Sequence, residues 1–96
     1  LADHWTGSMG EGITIGFDGM KRATVIGTPL ARLSGATETF EMPNTKIRFS
    51  FPIERLYHVN GLPREFYEPK ITVNVSQQTP GKDPILQKAL SVLATK

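Results

Sequence analysis

Residues 3–12 read DHWTGSMGEG, and here an extended segment leads into a helix that begins after Ser8. A serine at a helix N-terminus has its hydroxyl beside unpaired backbone N–H groups and the positive end of the helix dipole. Such groups can bind the oxyanion of an acyl-transfer reaction, so Ser8 is a candidate nucleophile. Ser8 and Glu11 also match the S-x-x-E capping box, which stabilises a helix start by roughly 0.5–2 kcal/mol. The two interpretations are compatible, because a nucleophile can occupy the cap position.

The composition is that of one globular domain, or of a piece of one. The chain has 96 residues and is 39% hydrophobic, and its nine glycines bring the apolar fraction to the usual range. Eleven basic and nine acidic residues are scattered along it, giving a net charge of +2. Because no Lys/Arg cluster occurs, the composition argues against nucleic acid as a partner.

Several function classes are excluded by what the sequence lacks. Without cysteine there is no disulfide scaffold, thiol nucleophile or thiolate zinc site, and the compartment is left open. No apolar run approaches 18 residues, so no membrane span is expected. The chain starts at Leu1 without a charged and apolar leader, which we interpret as the internal or C-terminal part of a longer protein.

The first third of the chain predicts a parallel strand–helix–strand crossover. Residues 9–22 are expected to form a helix with Ile13, Phe17 and Met20 on one apolar stripe. Residues 23–27, ATVIG, read as a short buried strand.

The remainder predicts a hairpin, further strands and an end helix. Residues 36–42 and 46–51 alternate around a Pro43-Asn44-Thr45 turn. Strands are expected at 53–57 and 71–75, with an Asn60-Gly61 turn between them and a polar link at 76–82. Asp83 caps the end helix, with Pro84 at its first position. We expect the hairpin and this helix to share a core made by Ile47, Phe49, Phe51, Leu86 and Leu90.

Other candidate residues carry weaker signals. His4 and His58 are the only histidines, and extended geometry tends to carry His4 away from the Ser8 hydroxyl. No metal-binding motif is present, so no metal or other cofactor is expected. Thr6 replaces the first glycine of a G-x-S-x-G elbow. Glutamates that could orient a base, or could simply be solvated, are Glu54, Glu65 and Glu68.

The order of these features resembles the C-terminal part of the tail-specific, or C-terminal-processing, serine peptidases, including their tricorn-core-like branch. The matching segments lie at 3–11, 21–29, 60–61, 68–73 and 83–90, with the hairpin between the second and the third, and so span nearly the whole chain. The resemblance implies a mixed α/β fold of the Clp protease and crotonase type, built from β-β-α units. Residues 1–96 would form a single domain or the C-terminal portion of a larger catalytic domain. A secreted or periplasmic location is implied by the resemblance alone.

The resemblance also assigns roles at the site. Ser8 becomes the nucleophile, and the Met9 backbone N–H becomes one oxyanion donor. Many members use a lysine base twenty-five residues after the serine, but here that residue is Leu33. Lys21 cannot replace it, since it lies roughly 20 Å away along the helix. In the tricorn-like branch a histidine from an earlier segment is the base, and Glu54 is the match for a downstream site glutamate.

Three functions are therefore open. The first is a serine endopeptidase that cleaves peptides or unfolded protein tails through an acyl-enzyme, with its base supplied by an upstream part of the same protein. On this interpretation the isolated 96-residue chain is inactive. The second is a non-catalytic ligand- or peptide-binding domain, since a retinoid-binding protein also resembles the family and Leu33 departs from the catalytic pattern. The third is an acyl-CoA enzyme of the crotonase type.

Overall fold

The computed structural model describes residues 1–76 and 80–96 as a mixed helix and strand domain, and part of the predicted 76–82 link lies outside the described residues. Within them are two α-helices, four short strands and one 3₁₀ helix. In chain order these are α1 (Met9–Gly19), β1 (Ile26–Gly27), β2 (Thr37–Glu41), β3 (Arg48–Pro52), the 3₁₀ helix (Arg64–Phe66), β4 (Ile71–Thr72) and α2 (Pro84–Ala94).

The expected parallel crossover is present and is shorter than predicted. Ala2 N donates to Ile26 O at 3.1 Å, and Thr28 N donates to Ala2 O at 3.2 Å. α1 connects this bridge to β1, which pairs in parallel with β4 through Ile26 and Ile71. Gly27 is required here, because a Cβ at this residue would lie 1.7 Å from Ala2 O. The small core beneath is formed by Ala2, Ile15, Val25, Leu30 and Tyr67.

α1 ends three residues earlier than predicted. Arg22 N donates to Phe17 O and Lys21 N donates to Asp18 O, both at 2.9 Å. With Lys21 in the left-handed region at φ 56°, this is a Schellman motif, which closes the helix.

The predicted apolar stripe on α1 was also wrong. Ile13, Phe17 and Met20 are 57%, 47% and 63% exposed, whereas Glu11 and Ile15 are the residues that α1 buries. The stripe follows helical spacing, but the core and Arg64 lie on the other side of the helix.

The hairpin is confirmed, with Phe40 opposite Phe49 and Glu38 opposite Phe51. Its predicted packing is wrong, because Phe49 and Phe51 remain 40% and 47% exposed. The rest of the expected shared core is exposed too, namely Ile47, Leu86 and Leu90. The α2 helix packs against β1 instead, and the hairpin packs on no other helix or strand of the described chain. A projecting hairpin explains a radius of gyration of 17.1 Å, against about 13 Å for a compact domain of this size.

Local signals in the C-terminal half were mostly correct. Leu86 N donates to Asp83 Oδ1 at 2.9 Å, so Asp83 caps α2 as predicted. The Asn60-Gly61 turn is formed, with Gly61 N donating to His58 O at 2.9 Å. Residues 53–57 are not a strand; only Tyr57 makes an isolated bridge, to Pro63.

Candidate functional site

Ser8 adopts a strained backbone conformation at the start of α1. Its φ of 54° and ψ of −120° lie outside the regions that residues with a Cβ normally occupy. Such strain costs on the order of 1–3 kcal/mol and is concentrated at functional sites. A nucleophilic serine on a sharp turn from strand to helix is presented in this way. Ser8 is exposed, so its hydroxyl is accessible.

Thr6 and Gly10, which lie two residues before and two residues after Ser8, allow this sharp turn. A Cβ on Gly10 would lie 3.3 Å from the Thr6 methyl group. Thr6 therefore fills the space that Gly10 leaves empty, which explains how a single glycine suffices where the elbow pattern has two.

The first amide of α1 is available as a donor. Met9 N makes no backbone hydrogen bond within the described residues, whereas Gly10 N donates to Gly7 O at 2.9 Å. The Met9 N–H is thus one of the unpaired donors that a helix start presents to an anion.

The fully buried carboxylate of Glu11 binds the backbone of the Ser8 turn. Ser8 N donates to Glu11 Oε2 at 3.0 Å, and the Ser8 side chain faces the Glu11 backbone in return without completing a hydrogen bond. Arg32 N and Leu33 N donate to Glu11 Oε1 at 2.8 and 3.2 Å. Glu11 is 0% exposed, so it is more than a helix cap: it joins the Ser8 turn to the segment at Leu33.

Arg64 completes this arrangement from the 3₁₀ helix. Its guanidinium lies 3.7 Å from Glu11 Oε2 and is 3% exposed. It donates to Leu33 O at 2.9 Å and to Ser8 O at 3.3 Å. Glu11 and Arg64 together therefore bind both backbone polar groups of Ser8 and of Leu33. We call this pair the Glu11–Arg64 clamp.

Sequence reasoning missed the clamp. The capping box explains Glu11 only as a helix cap, and no motif singles out Arg64. No local pattern distinguishes Arg64 from its exposed neighbours, because its partner Ser8 lies 56 residues away in the chain.

Leu33 lies beside the Ser8 turn but brings no base. Its Cδ1 would be 3.3 Å from a Cβ on Gly7, and the residue is 48% exposed. Lys21 lies beyond the other end of α1, roughly 20 Å from Ser8. Neither residue can take a proton from the Ser8 hydroxyl.

Neither histidine is brought to Ser8. His4 is exposed, with its ring centroid 5.1 Å from that of Trp5. His58 is buried, and its Nε2 lies 2.8 Å from Asp18 Oδ2. Since Asp18 is at the C-terminal end of α1, the His58–Asp18 pair is about 15 Å from Ser8.

His58 also stacks on Tyr67, with ring centroids 5.8 Å apart. Burial, together with the negative charge of Asp18, raises the pKa of Tyr67 to about 12. The Tyr67 hydroxyl is buried and has no hydrogen-bond partner among the described residues. This cluster packs the C-terminal end of α1 and does not reach the Ser8 turn.

The candidate glutamates have different surroundings. Glu54 is exposed, and its side chain makes no hydrogen bond or ion pair within the described residues; its backbone contacts Gly35, near Leu33. Glu65 pairs with Arg55 at 2.7 Å, and Glu68 pairs with Arg32. The backbone N–H of Glu65, followed by the Arg55 guanidinium, lowers the pKa of the Glu65 carboxyl. The structure therefore gives Glu54 no base to orient.

Comparison with protein-family models, curated proteins and solved structures finds no match to this chain. In residues 1–76 and 80–96 no helix is long and apolar enough to cross a bilayer. The same residues bring no group of three or more acidic or histidine side chains together as a metal site.

Proposed function

We propose that Ser8 is the nucleophile of a serine-type endopeptidase that cleaves peptides or unfolded protein tails through an acyl-enzyme. The observation that carries this proposal is the strained Ser8 backbone, held by the Glu11–Arg64 clamp beside the unpaired Met9 N–H. A backbone held at this cost places the hydroxyl in a defined position, as an attacking group requires. The Met9 N–H would then stabilise the oxyanion that forms on the substrate carbonyl.

The base is the part that the described residues do not provide. A serine hydroxyl needs a proton acceptor within about 2.6–3.2 Å, and His4, His58, Lys21 and Leu33 all fail this condition. We therefore place the base in an upstream part of the same protein, and we expect the isolated 96-residue chain to be inactive. The fold of the Clp protease and crotonase type remains part of this proposal.

Fluorophosphonate labelling of the full-length protein tests the nucleophile. We expect one labelled residue, Ser8, and loss of the label in Ser8→Ala. Ser91→Ala is the matched control, since Ser91 is an exposed serine inside α2 rather than at a helix start. Label on another serine, or label that survives Ser8→Ala, would contradict the assignment.

Glu54 is the second proposed site residue, as the carboxylate that orients the missing base. Glu54→Gln should then lower kcat far more than it raises KM, with folding intact. An unchanged kcat would show that Glu54 is a solvated surface residue with no role in catalysis.

A non-catalytic ligand- or peptide-binding domain is the second candidate function. It is favoured by the apolar Leu33 beside the Ser8 turn, where a catalytic site would need a proton acceptor. A full-length protein that binds peptide, takes no fluorophosphonate label and is unaffected by Ser8→Ala would establish this alternative.

A further inference from the structure

A concave site lies at the C-terminal end of α1, remote from Ser8. The cavity has a volume of about 660 Å³. Cations from three parts of the chain line it: Lys21 and Arg22 after α1, Lys70 before β4, and Lys96. Asp18 and Glu68 line it as well.

The two carboxylates are already engaged. Asp18 Oδ2 accepts a hydrogen bond from His58 Nε2 at 2.8 Å, and Glu68 pairs with Arg32 outside the cavity. The cations make no ion pair within the described part of the chain; this holds for Lys21, Arg22, Lys70 and Lys96. The cavity therefore has an excess of positive charge. Like charges that lie together in one cavity repel one another and attract counter-ions.

The backbone at Lys21 allows a direct test of this argument. Lys21 occupies the left-handed position of the Schellman motif at φ 56°, where glycine is the usual residue. A side chain with a Cβ is disfavoured there. The helix dipole favours a cation near a helix C-terminus, but it does not explain Lys70, which comes from another segment.

We propose that this cavity binds a small polyanion, that is, an oligophosphate or a polycarboxylate with two or more negative charges. Lysine ammonium groups and the Arg22 guanidinium are the donors that bind such oxygens most strongly. The site is independent of the proposed nucleophile, because Lys21 lies roughly 20 Å from Ser8.

Lys21→Gly provides a test that does not depend on a destabilised variant. Glycine relieves the left-handed strain, so the unliganded variant should unfold at a higher temperature than the wild type. The same change removes one charged donor, so the affinity for pyrophosphate should fall roughly tenfold. Lys88→Ala is the matched control, since Lys88 is an exposed cation on α2 outside the cavity, and it should bind as the wild type does.

The experiment measures thermal unfolding and calorimetric binding of the full-length protein with pyrophosphate or citrate, against sodium chloride at equal ionic strength. Stabilisation by pyrophosphate alone supports a phosphate-bearing ligand, and stabilisation by citrate alone supports a polycarboxylate. The proposal is overturned if neither anion exceeds chloride, if Lys21→Gly binds as the wild type does, or if Lys88→Ala loses as much affinity.

Discussion

Removing the charge of Arg64 should destabilise the chain far more than removing an exposed charge. In Arg64→Met the side chain keeps much of its length but leaves the Glu11 carboxylate, which is 0% exposed, without its cation. At 3.7 Å between the charged atoms, the attraction is about 4 kcal/mol at an effective dielectric constant near 20. Breaking a buried pair by removing one partner costs about 3–5 kcal/mol, because an uncompensated charge remains.

The carbonyls of Ser8 and Leu33 also lose their donor in this variant. We therefore expect the free energy of unfolding to fall by at least about 3 kcal/mol, which lowers the urea midpoint by about 2 M. Far-ultraviolet circular dichroism during urea titration measures this change.

Two further variants make the Arg64 prediction refutable. Glu68→Gln breaks the Arg32–Glu68 pair, whose side chains are 49% and 50% exposed, and should cost at most about 1 kcal/mol. Glu11→Gln combined with Arg64→Met removes both charges and should recover part of the loss. The clamp does not hold the turn if Arg64→Met lowers the free energy of unfolding no more than Glu68→Gln does. The same conclusion follows if the double variant loses more free energy of unfolding than the two single variants lose in sum.

Three other predictions concern regions away from the clamp. The pKa of Tyr67 is about 10 in the unfolded chain and about 12 in the folded protein. Between these two pH values the folded state keeps a proton that the unfolded state loses, so the free energy of unfolding falls as the pH rises. Tyr67→Phe should remove this part of the alkaline loss, seen in urea titrations at pH 8 and 11, whereas the exposed Tyr57→Phe should not. Phe49→Ala should abolish hydrogen-exchange protection of the hairpin, because stacked rings contribute about 0.5–1.5 kcal/mol, and leave α1 unchanged; equal loss in α1 would contradict this. Asn60 N donates to His58 Nδ1 at 3.1 Å, so nitrogen NMR at neutral pH should show the Nε2–H tautomer; a proton on Nδ1 would contradict that hydrogen bond.

Several elements could be predicted from the sequence because interactions between neighbouring residues stabilise them. Asp83 followed by Pro84 starts α2 as predicted, because a capping carboxylate and a residue without an N–H satisfy the helix start locally. The hairpin formed around Pro43-Asn44-Thr45 for the same reason, since turn residues and alternation act between neighbours. Ser8 was also placed correctly at the start of α1.

Tertiary structure decided which faces are buried and which charges meet. The apolar stripe at Ile13 and Phe17 gave no sign that α1 would instead bury Glu11, because periodicity identifies a face but not its partner. The role of Glu11 depends on Arg64, which reaches it only through the folded 3₁₀ helix. The sequence by itself determined where the chain turns, caps and pairs locally. The strained Ser8 backbone and the clamp that holds it arise only when residues far apart in the chain are desolvated together.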